Sequence, residues 1–149
     1  MLKTIYFMAA AAFVTPVSPD PVLSPGTFCH ANVPDFTGYA ELLVPYCLEN
    51  VTEEVKERVF WAYQIPKEER DQYEISHVIP LFLGGSNGFS NLWPEHVSMQ
   101  NARQVEECLF LWLDEGLVDY IEALQIATER WFYTDFGSCG SGPGLSLDR

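Results

Sequence analysis

The sequence predicts an α+β protein, in which a two-stranded antiparallel hairpin is flanked by about three helices and stapled by disulfides. The hairpin is indicated by a period-2 alternation, a glycine-rich turn and a second short apolar run, in residues 73–79, 84–88 and 91–93. Helical periodicity marks three further segments, residues 52–64, 98–115 and 119–133. The 149 residues suit one domain, and a hydrophobic fraction of 48% is ample for its core.

The first predicted strand brings one histidine to the edge of the glycine-rich loop. Tyr73, Ile75 and His77 alternate with other side chains, so the strand has two distinct faces. Pro80 ends the strand, because proline has no N–H for a sheet ladder. A lone histidine is more often structural than catalytic. A position at a strand end, beside a loop where positive φ angles are cheap, favours a chemical role for His77.

Capping residues mark where the helices begin and end. Asn50 or Thr52 can cap the first helix, and Gly116 suits the position after the second. Asp119 with Glu122 resembles a capping box at the start of the third helix. The buried stripe of the second helix is predicted to be Val105, Cys108, Leu109 and Trp112. That of the third is predicted to be Ile121, Leu124, Thr128 and Trp131.

The N-terminus is interpreted as a secretory signal over residues 1–18. Lys3 supplies a positive charge, and residues 5–14 supply an apolar stretch of the usual length. The other interpretation is a short buried helix. No later apolar run is long enough to cross a membrane. We therefore expect a secreted, extracellular monomer that does not engage membranes.

The rest of the chain divides by composition into three parts. Residues 19–50 are rich in proline and are expected to be irregular. Residues 51–135 contain the hairpin and helices and form the expected domain. Residues 136–149 are rich in glycine and serine and are expected to be a flexible tail.

The charge balance disfavours binding to nucleic acid through a general basic surface. The formal net charge is −13, whereas phosphate binding needs clustered lysine and arginine. A bound metal ion can still make a small site locally positive. A strongly negative charge also keeps a secreted protein soluble, which is the simpler explanation.

Four cysteines, Cys29, Cys47, Cys108 and Cys139, are expected to form two disulfides. They are widely spaced without a C-x-x-C pair, so disulfides are favoured over a zinc site. Three pairings are possible, including Cys47 with Cys108 and Cys29 with Cys139, and the sequence does not choose among them. Asn50 begins an N-glycosylation sequon, Asn-Val-Thr, although such triplets also occur by chance.

The central stretch contains Tyr73-Glu74-Ile75, His77, Ile79-Pro80-Leu81, residues 83–87 (LGGSN) and residues 91–95 (NLWPE). This line resembles the HNH endonucleases, also called ββα-metal or His-Me finger nucleases. The resemblance implies an HNH-like core, in which a hairpin and a helix hold a divalent metal such as Mg²⁺, Mn²⁺ or Zn²⁺. It further implies hydrolysis of phosphodiester bonds in nucleic acid, with His77 as the general base. Asn91 would orient that histidine or fix the loop.

One departure from the family line affects the metal. The family places an aspartate ligand immediately before the histidine, and this chain has Ser76 there. A neutral hydroxyl is a poor ligand for a hard divalent cation. The candidate replacement ligands are Glu95, His96, Asn101 and Glu106. Glu106 matches the glutamate of the family's post-motif helix, whereas His96 is unusual for the family and could compensate for the lost aspartate. Arg103 would contact a phosphate. A solvated helix face is the simpler explanation for Glu106.

Two functional hypotheses follow. The first is a secreted, metal-dependent endonuclease of relaxed specificity, favoured by the retained His77, Asn91 and glycine-rich loop. The second is a catalytically degenerate HNH-fold protein, an effector or recognition module that binds a protein partner. Ser76 and the net charge favour the second.

Overall fold

The structure, a computed structural model, describes residues 14–135, 138–140, 142–143 and 146–147. Most of the predicted signal, residues 1–13, and much of the predicted C-terminal tail lie outside the described residues. The elements in chain order are β1 (Phe36–Tyr39), β2 (Pro45–Cys47), α1 (Glu53–Ala62), β3 (Tyr73–His77), β4 (Leu92–His96), α2 (Gln100–Asp114), α3 (Tyr120–Glu129), β5 (Tyr133–Asp135) and β6 (Ser146–Leu147). This part of the chain is α+β, as predicted.

The predicted hairpin is formed by β3 and β4. The two strands are antiparallel, with Tyr73 opposite His96 and His77 opposite Leu92. The glycine-rich loop between them is tightly folded. Gly85 is required there, because a Cβ atom at this position would collide with the carbonyl oxygen of Ile79.

The helices lie where helical periodicity predicted them, with shorter ends. Thr52 caps α1 through a hydrogen bond from the amide of Val55, and the capping box of Asp119 and Glu122 begins α3. The predicted extension of the third helix to residue 133 is wrong. Residues Arg130–Phe132 form a 3-10 turn, and the chain then enters β5.

The hydrophobic core lies between α2, α3 and the loop that follows β3. All four residues of the predicted α2 stripe are buried. The predicted α3 stripe is right only in part. Leu124 packs against the core, but Ile121 is 68% exposed, and Ala123 and Ala127 are the fully buried residues of this helix. The two alanines let α3 approach α2 closely, and Leu83 from the loop completes the cluster.

The proline-rich segment, which was expected to be irregular, contains a second hairpin. Strands β1 and β2 pair with Tyr39 opposite Pro45, and the turn between them is Glu41–Leu43. The segment also packs on the glycine-rich loop, where the amide of Cys29 donates to the carbonyl of Gly84 at 2.8 Å. It is therefore an ordered cover over the central hairpin.

Two disulfides are present, as predicted. They join Cys29 to Cys47 and Cys108 to Cys139, which settles the pairing that the sequence left open. The first staples the N-terminal hairpin, and the second ties α2 to the C-terminal segment. Closures of this length each contribute roughly 2–4 kcal/mol. In the described ranges no helix is long and apolar enough to cross a membrane.

Candidate functional site

His77 is held by a short relay of side chains from the glycine-rich loop and the N-terminal segment. Its Nε2 lies 3.0 Å from Oδ1 of Asn87. Nδ2 of Asn87 donates to the carbonyl of Leu48 at 2.7 Å and to Oδ2 of Asp35 at 3.3 Å. Two acceptors fix Nδ2 on the far side, so Oδ1 faces the histidine and accepts its Nε2–H.

This relay selects one form of the neutral imidazole. With the proton on Nε2, the lone pair of Nδ1 is free to accept another proton. Within the described part of the chain, Nδ1 makes no hydrogen bond. His77 thus presents an unprotonated ring nitrogen at the end of β3.

Asn91 fixes the loop, which is one of the two roles expected for it. The side chain is fully buried, and its Nδ2 donates to the carbonyls of Ile79 and Ser86 at 3.0 and 2.8 Å. Its Oδ1 accepts from the amides of Ile79 and Thr27 at 2.9 and 3.3 Å. The amide has no capacity left for His77 or for a substrate.

A cleft of about 440 Å³ lies between the central hairpin and α2. Its floor includes Ser76, the residue at the family's aspartate position. Phe82 and Phe110 form one wall, with their rings 5.9 Å apart in an edge-to-face arrangement. The charged residues around the cleft are Glu74, Glu95, Arg103, Glu106 and Glu107.

Arg103 from α2 forms ion pairs with two carboxylates of the central hairpin. Glu74 and Glu95 are cross-strand neighbours, an arrangement that is unfavourable for like charges. The guanidinium of Arg103 lies between them, with Nε 3.0 Å from Glu95 and NH2 3.1 Å from Glu74. Glu95 is only 3% exposed, and Arg103 is the cation that compensates it in this buried position.

Glu106 is paired with a second arginine, Arg130, at 3.2 Å. Arg130 is fully buried, and it donates to the carbonyls of Val78 and His77 at 2.9 and 2.6 Å. Its guanidinium also lies 4.3 Å from the ring centre of Trp131. Burial lowers the pKa of Arg130 below its ordinary value, and the negative charges of Glu106 and Glu95 oppose that shift.

The structure does not bring the four candidate metal ligands together. His96 is four residues along β4 from the position opposite His77, or about 13 Å along the strand. Its Nδ1 is 2.7 Å from the hydroxyl of Ser98, and its ring packs on Tyr73. Asn101 lines a separate depression. Of the four candidates, Glu95 and Glu106 border the cleft, and each is paired with an arginine.

The residues around the cleft do not fit a divalent metal. Ser76 offers a neutral hydroxyl, and three of the carboxylates already bind guanidinium groups. Across the residues that the structure describes, no three His, Cys, Asp or Glu side chains are grouped to hold an ion. Arg103, predicted to contact a phosphate, lies between two glutamates and forms an ion pair with each.

Comparison of the chain with protein-family models, with curated proteins and with solved structures finds no match. The resemblance to HNH endonucleases therefore rests on the motif residues of the chain itself.

Several residues that shape the site were not selected from the sequence. Asn87 is part of the LGGSN motif, but nothing in the sequence pointed to its bond with His77. Asp35 is 42 positions from His77 in the chain. Arg130 gave the only usable signal, because it is the single arginine in the predicted third helix, residues 119–133, and is next to the predicted stripe residue Trp131.

Proposed function

We propose that this chain is a secreted binding protein built on a nuclease-like hairpin and helix, with arginine–glutamate pairs in place of a metal centre. The observation that carries the proposal is the Arg103 bridge between Glu74 and Glu95. A guanidinium in that position supplies the positive charge that a cation would supply. It therefore satisfies the carboxylates without any bound ion.

Charge around the cleft supports the same conclusion. The lining contributes four carboxylates and one guanidinium. Buried Arg130 adds one more positive charge behind Glu106. The cleft remains negative overall, in a protein whose formal charge is −13. Such a surface repels the phosphates of nucleic acid and suits a protein partner.

The test is whether divalent cations bind to the folded protein. An ion that binds only the native state raises its stability by about 2.7 kcal/mol at one hundred times its dissociation constant. We expect millimolar Mg²⁺, Mn²⁺ and Zn²⁺ to leave the unfolding midpoint unchanged. The matched variant is Ser76→Asp/Arg103→Met, which restores an aspartate and frees Glu95. The proposal is contradicted if these cations raise the unfolding midpoint of the native protein, and raise it as much as that of this variant.

The second candidate is the metal-dependent endonuclease of relaxed specificity. It is favoured by the His77–Asn87 hydrogen bond at 3.0 Å, which leaves Nδ1 of the imidazole free as a base. A degenerate protein has no need of an oriented base. Metal-dependent cleavage of nucleic acid that disappears in His77→Ala would establish this function.

A further inference from the structure

The turn between β1 and β2 has a backbone that does not suit its residues. Leu42 and Leu43 both have φ of 58°, in the left-handed region. This region is disfavoured for bulky side chains. Hairpin turns with two such residues normally contain Asn-Gly or Asp-Gly.

Burial does not explain the two leucines. Leu42 is 81% exposed and Leu43 is 79% exposed, so neither contributes to the core. The other non-glycine residue with positive φ, among those described, has an ordinary reason for it. Gln64, with φ of 57°, ends α1 and directs the next residue, Ile65, into the core at 3% exposure.

The turn is nevertheless presented on a rigid base. The amide of Ala40 donates to the carbonyl of Val44 at 2.8 Å, and Val44 is buried directly beside the leucines. The Cys29–Cys47 disulfide closes the far end of the hairpin. An apolar tip that is held in one conformation loses little entropy when it binds.

The charge of this part of the chain indicates what the tip binds. Residues 14–55 contain six acidic residues and no lysine or arginine. Glu41 lies immediately before the two leucines and would be desolvated with them. A partner surface with an apolar pocket would receive the leucines, and cationic side chains around that pocket would pair with Glu41. An anionic lipid surface would repel this segment.

We propose that the leucine turn, Leu42 and Leu43 with the neighbouring Tyr39, docks into an apolar pocket of a partner protein that is bordered by lysine or arginine. Tyr39 is 59% exposed and adds an aromatic ring with a polar end beside the leucines. This inference deepens the proposed binding function and rests on it. Its tests compare variants of the turn with the native protein. Cleavage of nucleic acid by the native protein would therefore overturn the proposed function, but it would not decide whether the turn docks.

The first test is thermodynamic and needs no partner. Leu42→Asn/Leu43→Gly replaces the strained pair with residues that prefer positive φ. We expect its unfolding midpoint to rise above that of the native protein, because strain is removed and no buried contact is lost. Gln64→Gly is the matched control, which removes the same kind of strain away from the turn. A lower midpoint for the double variant would mean that the leucines serve folding, and would overturn the inference.

The second test identifies the partner. A benzophenone amino acid at Tyr39 is photo-activated in extracellular fluid, and a cross-linked protein is identified and purified. We expect that protein to bind the native chain and the Gln64→Gly variant equally. It should bind the Leu42→Asn/Leu43→Gly variant at least about tenfold more weakly. Glu41→Gln and added salt should each weaken binding. Equal binding by the double variant, no cross-linked protein, or turn-dependent sedimentation with phosphatidylcholine vesicles would overturn the inference.

Discussion

Removing the guanidinium of Arg103 should destabilise the central hairpin. In Arg103→Met, Glu95 keeps its buried position at 3% exposure and still faces Glu74 across the strands. Breaking a fully buried pair costs about 3–5 kcal/mol. Arg103 is 33% exposed, which reduces that value to about 2–4 kcal/mol. The corresponding fall in melting temperature is roughly 5–15 °C for a chain of this size.

The assay is urea denaturation of the native protein and the variant, and the cause is tested by a second substitution. Glu95→Gln in the Arg103→Met background removes the uncompensated negative charge and should recover at least half of the loss. A deficit below about 1 kcal/mol, or no recovery in the double variant, would refute this explanation.

Three further predictions concern the loop and an interior tyrosine. Asn91→Ala should lower the free energy of unfolding by about 2–4 kcal/mol in urea denaturation, because several buried backbone groups lose their partner. Gly85→Ala should fail to give native circular dichroism, whereas Gly88→Ala, where a Cβ meets only ordinary contacts, should fold normally. Burial raises the pKa of Tyr63 above its ordinary value, against weaker lowering by its hydrogen bonds with the hydroxyl of Ser24 and the amide of Asp20. The contribution of Tyr63 to stability is therefore fully present below about pH 10 and should be lost above it, so stability should fall less steeply in Tyr63→Phe. A Gly85→Ala protein with native stability, an Asn91→Ala protein as stable as the native one, or identical alkaline titrations of the native protein and Tyr63→Phe would each contradict the respective prediction.

The central hairpin and α2 could be predicted because each has a local signal. Alternation along β3, the glycines of the loop and the spacing from Val105 to Trp112 are all properties of neighbouring residues. The N-terminal hairpin had no such signal. Its turn contains Leu42 and Leu43 in place of the glycine or asparagine that normally marks a hairpin, so the segment looked irregular.

The site could be predicted only in part, for the same physical reason. His77 and Asn91 stand within one short motif, and the structure places both beside the loop, where they form hydrogen bonds with Asn87 and Ser86. The partners that set their chemistry come from distant segments. Asp35 reaches the histidine relay from the N-terminal cover, and Arg130, the residue after α3, donates to the backbone carbonyl of His77. Spacing along one strand also could not show that His96 lies at the opposite end of the hairpin.

The most direct test of the central claim is a cleavage assay with the purified, oxidised protein. Supercoiled plasmid and single-stranded RNA are incubated with Mg²⁺, Mn²⁺ or Zn²⁺, beside His77→Ala and Ser76→Asp. We predict no cleavage by the native protein under any of these conditions, because arginines occupy the carboxylates that a metal would need. Metal-dependent cleavage by the native protein that is lost in His77→Ala would contradict the account and identify the chain as a nuclease.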